Sequence, residues 1–205
     1  MERHVKDLAA RTTGTVVAIE FGSTTGSGVV VSPDGLVLTA GHVVGRGNRP
    51  VSFRFPDGKT VRGKTLGLDS ASDTGVMQIT DAGPWPFAPL GDLKGAQTGD
   101  WVLAMGHPGG FDSRRSTVVR LGRIIRLSPD MLQTDCTITH GDSGGPLFDM
   151  HGRVIAIHNE ISGSMSGNFH VPTTVYYKAW NRLIAGGTVI PRVAELVSGI
   201  RTSER

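Results

Sequence analysis

Short apolar runs closed by turn signals recur roughly every ten residues along this chain, a spacing that favours a β-sandwich or β-barrel over any helical architecture. In the first half they are TVVAIEF (15–21), GSGVVVS (26–32), LVLTA (36–40), VSFRF (51–55), TVRGKTLGL (60–68) and TGVMQI (74–79). SPDG at 32–35 and PDG at 56–58 supply turn chemistry between them. The stretch DAGPWPFAPLGDLKGAQTGD (81–100) is a poor strand and reads as a connector. A second set follows: WVLAMG (101–106), STVVRLGRIIRL (116–127), MLQTDC (131–136), PLFDM (146–150), RVIAIHNE (153–160) and NFHVPTT (168–174). The 29 glycines follow no fixed period, so they mark tight turns rather than a repeat. Residues 1–12 are polar with a weak helical period at Val5, Leu8 and Ala9, whereas 174–185 space Val175, Ala179 and Leu183 as a helix that Gly186 and Gly187 stop. The chain therefore reads as all-β: two six-stranded antiparallel β-barrels with a short C-terminal helix. The N-terminal barrel spans about 13–85, the C-terminal barrel about 98–175, and the helix and tail 174–205, all within one domain.

Composition narrows the function classes. Net charge is +3, and Lys and Arg are dispersed apart from a mild cluster between Arg114 and Arg126. Without a basic stripe interleaved with aromatics, nucleic acid is not an expected partner. The lone cysteine, Cys136, excludes an intrachain disulfide and reads as a small buried apolar side chain. No apolar run reaches the roughly 18 residues that a membrane span needs. MERHVKDLAARTT has no apolar h-region and so is not a secretory signal. The compartment stays open: cytoplasmic, or periplasmic or secreted if a leader has been removed. Seven histidines invite a metal, but no H-E-x-x-H or close His/Cys spacing occurs, and no metal or cofactor is expected. His107, in GHPGG, reads as a turn residue.

The chemistry concentrates in THGDSGGPLF (139–148). A nucleophilic hydroxyl needs open approach to a carbonyl carbon and backbone N–H groups aimed at the oxygen that becomes negative. Glycines around Ser143 allow the unusual backbone angles that aim those groups, with Gly141 and Ser143 as the two donors. Serine needs a base, and His42 in VLTAGHVV stands at the end of an apolar strand, at a barrel rim. An imidazole base needs an acid to fix its tautomer. Asp73 precedes the strand 74–79 and fits that role, whereas Asp69 reads as a solvated or turn-forming residue. The order is His, Asp, Ser, with the first two in one half and the third in the other, so the site falls in the cleft between barrels. Gly141, Ser143 and Gly145 also fit G-x-S-x-G, but Pro146 blocks the helix that an esterase elbow needs.

TAGHVV, D-x-x-x-D-T-G-V and GDSGGPL resemble the trypsin-like serine proteases, and the chain is most similar to the protease domain of the HtrA/Deg family. SPDGLVLTAGHVV, AMGHPGG, MLQTDCTITHGDSGGPLFDMHGRVIAIH and NFHVPTTVYYKAW each have a place in that family, over about residues 13–185. The resemblance implies a chymotrypsin-like fold and an endopeptidase that needs no cofactor and acts on polypeptide. Ser143 would attack the peptide carbonyl, His42 would carry the proton, Asp73 would hold His42, and the Gly141 and Ser143 amides would form the oxyanion hole.

This chain departs from the family pattern in three places. HtrA/Deg proteases usually carry Asn where Asp142 stands. In trypsin-like zymogens the matching acid pairs with an N-terminus released by cleavage. Here no IVGG-type start exists, so Asp142 needs His140, Arg114 or Arg115 as partner, or else the loop is ordered only conditionally. His158 stands where glutamyl endopeptidases carry a pocket histidine, which would favour Glu or Asp before the scissile bond. Ile138 and Glu160 argue instead for small or aliphatic residues there, with His158 merely lining the pocket. Thr137, Thr139, Asn159 and Asn168 are further wall candidates, as is His170 unless it is a satisfied interior imidazole. The last departure is length, since 25 residues after Trp180 cannot make the PDZ domain that HtrA/Deg proteases commonly append. GTVIPRVAELVSGIRTSER reads as a linker or docking strand. A regulated protease or chaperone domain of a larger HtrA-like protein, with a regulatory partner or fused domain, and a binding-only homologue stay open as alternatives.

Overall fold

The structure, a computed structural model, describes residues 1–22, 24–161 and 167–189. The first barrel is built from β1 (Val16–Phe21), β2 (Thr24–Val30), β3 (Leu36–Ala40), β4 (Pro50–Arg54), β5 (Thr60–Asp69) and β6 (Thr74–Ile79). They run in the order β5-β4-β1-β2-β3-β6, and β5–β6 pairing closes the ring. The second barrel, closed as β10-β11-β12-β9-β8-β7, uses β7 (Trp101–Gly106), β8 (Val118–Leu127), β9 (Leu132–Thr134), β10 (Pro146–Asp149), β11 (Val154–Ile161) and β12 (Asn168–Pro172). Pairing within both rings is antiparallel. Two six-stranded antiparallel barrels are thus what the turn punctuation led us to expect.

Strand side chains alternate between two faces, and at the seam, as in β1, β3, β6 and β7, both faces are covered, whereas β4, β5 and β8 keep one face open. On β7, Val102 and Ala104 fill the interior of the second barrel, while Leu103 and Met105 face the seam between barrels. On β1 to β3, Val17, Ile19, Val30 and Val37 fill the first barrel, and Val16, Val29, Leu36 and Leu38 join the seam. This double burial explains why the strands read as near-continuous apolar runs. Each fully buried Val, Leu or Phe contributes roughly 1.5–3 kcal/mol. The seam core fixes one barrel against the other, and so fixes the cleft above it.

Three helices complete the described chain. The polar opening segment forms α1 (Glu2–Thr13), a fuller helix than its weak period suggested. Its Leu8 is buried in the seam cluster, and the Thr12 hydroxyl lies 3.3 Å from the Met105 sulfur. A single helical turn, α2 (Gly41–Val44), follows β3. The C-terminal helix α3 (Thr173–Ile184) begins as β12 ends and crosses back to the first barrel. Its fully buried Tyr176 donates to the Thr39 carbonyl at 2.6 Å, and Arg182 donates to Asp69 at 2.8 Å. Of the tail, Thr188–Val189 forms β13, a parallel addition to β5, and the rest lies outside the described residues.

The connector 81–100 is no strand, but it is not idle. Trp85 stacks on Phe55 at 5.3 Å in the first core, and Leu90 bridges to Val154. Cys136 is buried, as its composition implied, and burial pushes its thiol up to about 11.

Candidate active site

α2 starts where β3 leaves the barrel, and it lifts His42 to the rim of the cleft. Gly41 donates to the Asp73 carbonyl at 2.9 Å, and a Cβ on Gly41 would stand 3.1 Å from Asp73 Oδ1. Glycine is what lets the two loops approach that closely. Asp73 itself sits at φ 51°, a left-handed conformation that aspartate tolerates better than most residues. Its carboxylate binds His42 twice: Oδ1 accepts the His42 backbone N–H at 2.7 Å, and Oδ2 lies 2.8 Å from ring Nδ1. A proton on Nδ1 satisfies that contact and leaves Nε2 as an acceptor. The hydrogen bond to Asp73 raises the imidazole above its ordinary pKa, against the opposing pull of burial. Asp69 lies elsewhere, with Oδ1 accepting the Ala71 amide at 3.0 Å and Oδ2 taking Arg182.

Ser143 stands across the cleft, half-buried. Its carbonyl accepts the Ser27 amide at 2.8 Å. Gly144, at φ 86°, presses so closely on Thr39 and Ser27 that a Cβ would overlap both. On the other side the Gly144 amide donates to the His158 carbonyl at 2.8 Å. The nucleophile loop is therefore wedged between the end of β3, two residues before Gly41, and β11 of the second barrel. Among the described residues no hydrogen bond joins the Ser143 hydroxyl to the His42 ring. Such bonds are commonly long without substrate and tighten in the reacting complex.

The amides around Ser143 have a defined direction. The His140 carbonyl accepts the Gly109 amide at 2.8 Å. Because a trans peptide sets C=O and N–H on opposite edges, the Gly141 N–H points the other way. The Gly141 carbonyl accepts the Ser27 hydroxyl at 2.7 Å, and that hydroxyl in turn accepts the His107 amide at 2.9 Å.

Asp142 does not use the partners expected from sequence. Arg114 binds Asp112 at 3.2 Å, Arg115 donates to the Pro108 carbonyl at 2.6 Å, and His140 is exposed. The partner is Arg120 on β8, whose guanidinium reaches Oδ2 at 3.0 Å and Oδ1 at 3.2 Å. The Thr139 amide adds a bond to Oδ2 at 2.9 Å. Burial pushes the Asp142 carboxyl above its ordinary pKa, and the Thr139 amide and Arg120 pull it back.

The seven wall candidates separate. Ile138 and Asn168 are buried and joined, with the Ile138 amide donating to Asn168 Oδ1 at 3.0 Å. Thr139 is committed to Asp142, Thr137 is exposed, and Asn159 is half-buried. His158 is fully buried and pairs with the equally buried His170, Nδ1 to Nδ1, at 2.9 Å. His170 Nε2 meets the Thr134 hydroxyl at 2.8 Å, and Thr134 Oγ1 also accepts the Cys136 amide at 3.2 Å. These contacts use every ring nitrogen of the pair except His158 Nε2. That nitrogen has no hydrogen-bond partner among the described residues. Burial holds His170 down at about 3 and His158 well below its ordinary value, so both rings are neutral at physiological pH.

Among the described residues no cluster of His, Cys, Asp or Glu could hold a metal, and no helix is long and apolar enough to cross a membrane. The sequence reading missed Arg120, Ser27 and Tyr176.

Two closed barrels, a GDSGG loop at their seam and an Asp-bound histidine facing it define a class, and the chain belongs to the family of trypsin-like peptidase domains, which matches residues 26–157. The similarity extends to HtrA/Deg proteins. The chain is 37% identical over 172 residues to a probable periplasmic serine endoprotease DegP-like of Pseudomonas savastanoi pv. phaseolicola, a match covering 80% of this chain and 36% of that protein. It is 38% identical over 178 residues to the putative serine protease HhoA of Synechocystis, covering 80% of this chain and 44% of that one. The chain thus spans less than half the length of either relative. Among solved structures, the HtrA-type protease AlgW with tripeptide matches with a TM-score of 0.77 at 28% identity, over 88% of this chain and 63% of that one. Deg5 matches with a TM-score of 0.76 at 26% identity, over 92% and 97%.

Proposed function

We propose that this chain is a serine endopeptidase in which Ser143, His42 and Asp73 form the catalytic triad. The observation that carries the reading is the double grip of Asp73 on His42, at 2.7 and 2.8 Å. His42 Nε2 takes the hydroxyl proton as Ser143 Oγ attacks the substrate carbonyl carbon. The resulting imidazolium lies against the Asp73 carboxylate. The carbonyl oxygen, now negative, is bound by the Gly141 and Ser143 amides, a type of contact whose loss costs about 3–4 kcal/mol of barrier. His42 then gives its proton to the departing amine, leaving an acyl-enzyme that water cleaves by the same steps in reverse. A fluorophosphonate should label Ser143. Ser143→Ala should lose both labelling and casein cleavage while its circular dichroism and melting temperature stay those of the wild type. Hydrolysis that survives in Ser143→Ala would falsify the reading.

For the residue before the scissile bond, the buried and neutral His158 and the buried Ile138 support a small or aliphatic side chain. One observation favours the other reading: His158 Nε2 has no hydrogen-bond partner among the described residues, and a polar group of a Glu or Asp side chain could fill that place. A peptide series carrying Val, Gln or Glu at that position separates them. Faster cleavage of Val than Glu supports the aliphatic reading, and Glu well ahead of Gln overturns it.

A further inference from the structure

We propose that the pocket lined by the loop 108–115 is a specificity subsite for the departing side of the substrate. In it Arg115, with Arg114 and Arg54 beside it, binds a carboxylate side chain within the first few residues after the scissile bond. The inference rests on the endopeptidase reading and adds a substrate class to it.

The pocket has a volume of about 660 Å³, and its charged lining is Arg54, Arg114, Arg115 and Asp112. Arg54 packs its guanidinium carbon 4.9 Å from the centre of the Phe111 ring and reaches Glu20 at 3.3 Å. Its Nε is buried and has no hydrogen-bond partner among the described residues. Arg114 meets Asp112 at 3.2 Å, on a side chain that is 89% exposed. Arg115 differs from both. Its guanidinium donates to the Pro108 carbonyl at 2.6 Å, and among the described residues no carboxylate pairs with it. A guanidinium carries five N–H donors, so one carbonyl leaves most of them, and the whole charge, unmatched. Even with Glu20 set against Arg54 and Asp112 against Arg114, one positive charge remains. The loop is also held in shape. Gly109 and Gly110 turn at φ 73° and 91°, and their amides donate to the His140 and His107 carbonyls at 2.8 and 2.9 Å. The Asp112 carbonyl accepts the Arg115 amide at 3.1 Å, and its carboxylate accepts the Arg114 amide at 2.9 Å. A cation set in place beforehand loses less freedom when it binds.

Contacts around Ser143 set which end of the substrate reaches this pocket. In the proposed reaction the departing amine takes its proton from His42, so the chain after the scissile bond leaves on the His42 side. β2 begins there. A Cβ on Gly26 would stand 2.8 Å from Val43, the neighbour of His42, and 3.3 Å from the Ser143 carbonyl. Thr25 comes next along the strand, and a Cβ on Gly110 would stand 3.0 Å from its side chain. The same loop presses on the nucleophile turn, since a Cβ on Gly141 would stand 2.6 Å from the Gly109 nitrogen. The path away from His42 thus crosses Thr25 onto the loop 108–115. A carboxylate arriving there can take two parallel N–H bonds from one guanidinium fork. The arginines are exposed, so salt screens the contact and its effect on rate is a few-fold.

The test uses quenched-fluorescence peptides that share one cleavable core and carry Glu, Gln or Lys at each of the first few positions after the scissile bond. They are cleaved by the full-length protein, Arg115→Gln and Arg115→Lys at low and at high ionic strength. The subsite predicts that at one position Glu exceeds Gln in kcat/KM by about fivefold at low salt, with Lys below Gln. Arg115→Gln brings the Glu-to-Gln ratio to within about twofold of unity, Arg115→Lys keeps part of it, and high salt erodes it in the wild type. Cleavage with no preference for Glu at any position overturns the subsite, as does a preference that Arg115→Gln retains. Should Arg115→Gln fail to fold, the wild-type ratio and its loss at high salt decide. A wild type that takes a fluorophosphonate on Ser143 and cleaves without the preference overturns the subsite alone. One that neither labels nor cleaves overturns the endopeptidase reading, and the Kd of fluorescent forms of the same peptides then decides for the pocket. Glu peptide bound about fivefold tighter than Gln peptide, with the difference lost in Arg115→Gln, supports a carboxylate site, and equal Kd values overturn it.

Discussion

Each barrel contributes one aspartate to the cleft, and the two are held in opposite ways. Asp73, from the first barrel, keeps 20% of its side chain in solvent and binds a histidine that is itself 51% exposed. Asp142, from the second, is sealed at 0% and binds an arginine by both oxygens. A histidine partner can gain and lose a proton near neutral pH, and an arginine partner cannot. One pair is therefore suited to moving charge during a reaction, and the other to keeping a backbone still while charge develops beside it. The same residue type serves both purposes because its burial and its partner differ.

The largest effect should come from breaking the mobile pair. Asp73→Asn keeps the size of the side chain but presents an NH₂ where the imidazole N–H needs an acceptor. Without the carboxylate the ring loses its fixed tautomer and the counter-charge for its cation. We expect kcat to fall about 10⁴-fold, measured on a peptide substrate at neutral pH, with the fold intact. A loss of only a few-fold would show that Asp73 does not orient the base and would remove the contrast between the two aspartates.

A smaller effect sharpens the contrast along the pH axis. Under the proposed triad His42 must be neutral to accept the Ser143 proton, and Asp73 raises its pKa. The wild-type kcat/KM should therefore climb with pH through a value above the ordinary imidazole range, and that limb should move to lower pH in Asp73→Asn. Stability carries the opposite sign. The pairing of His42 with Asp73 stabilises the fold fully below the unfolded imidazole pKa, and that contribution is lost as pH rises through the raised folded value. A rate profile and a set of melting curves over the same pH range check both signs. An acid limb that stays in place in Asp73→Asn would assign the titration to another group.

Much of this arrangement was legible before the structure. The apolar runs and the turns between them mark the strands, and they are near-continuous where both faces of a strand find cover, as in β1, β3 and β7. The glycines of TAGHVV and GDSGG, Gly41, Gly141, Gly144 and Gly145, all stand where neighbouring groups press close. Arg120 was hidden for a physical reason. Along β8 the apolar Val119, Leu121 and Ile125 are exposed beside Arg123 and Arg126, while Arg120 shares parity with the buried Gly122 and Ile124. A pattern reader sends the arginine outward and the valine inward, and here an internal carboxylate reverses that. The His158–His170 contact was equally out of reach, since the two are cross-strand partners next to a bulge and register is a tertiary property. Asp69 and Asp73 could be ranked but not separated until Arg182 was seen to occupy the former.

The smallest effect concerns the floor on which the mobile pair rests. Tyr176 of α3 is fully buried beneath the cleft, and its hydroxyl donates to the Thr39 carbonyl at 2.6 Å, three residues before His42. Burial and the nearby Asp73 charge push the phenol well above its ordinary pKa, so the proton stays on the oxygen and the contact persists at any working pH. Tyr176→Phe keeps the ring and its packing and deletes this one bond. Because Thr39 also belongs to the β3–β6 ladder, its carbonyl is not stranded in a void. We expect a loss of about 1–2 kcal/mol, which for a chain of this size lowers the melting temperature by roughly 2–8 °C. The Asp73 grip on His42 does not pass through Tyr176, so kcat/KM should stay within about threefold of wild type. A much larger loss of rate at preserved stability would mean that the helix positions the base.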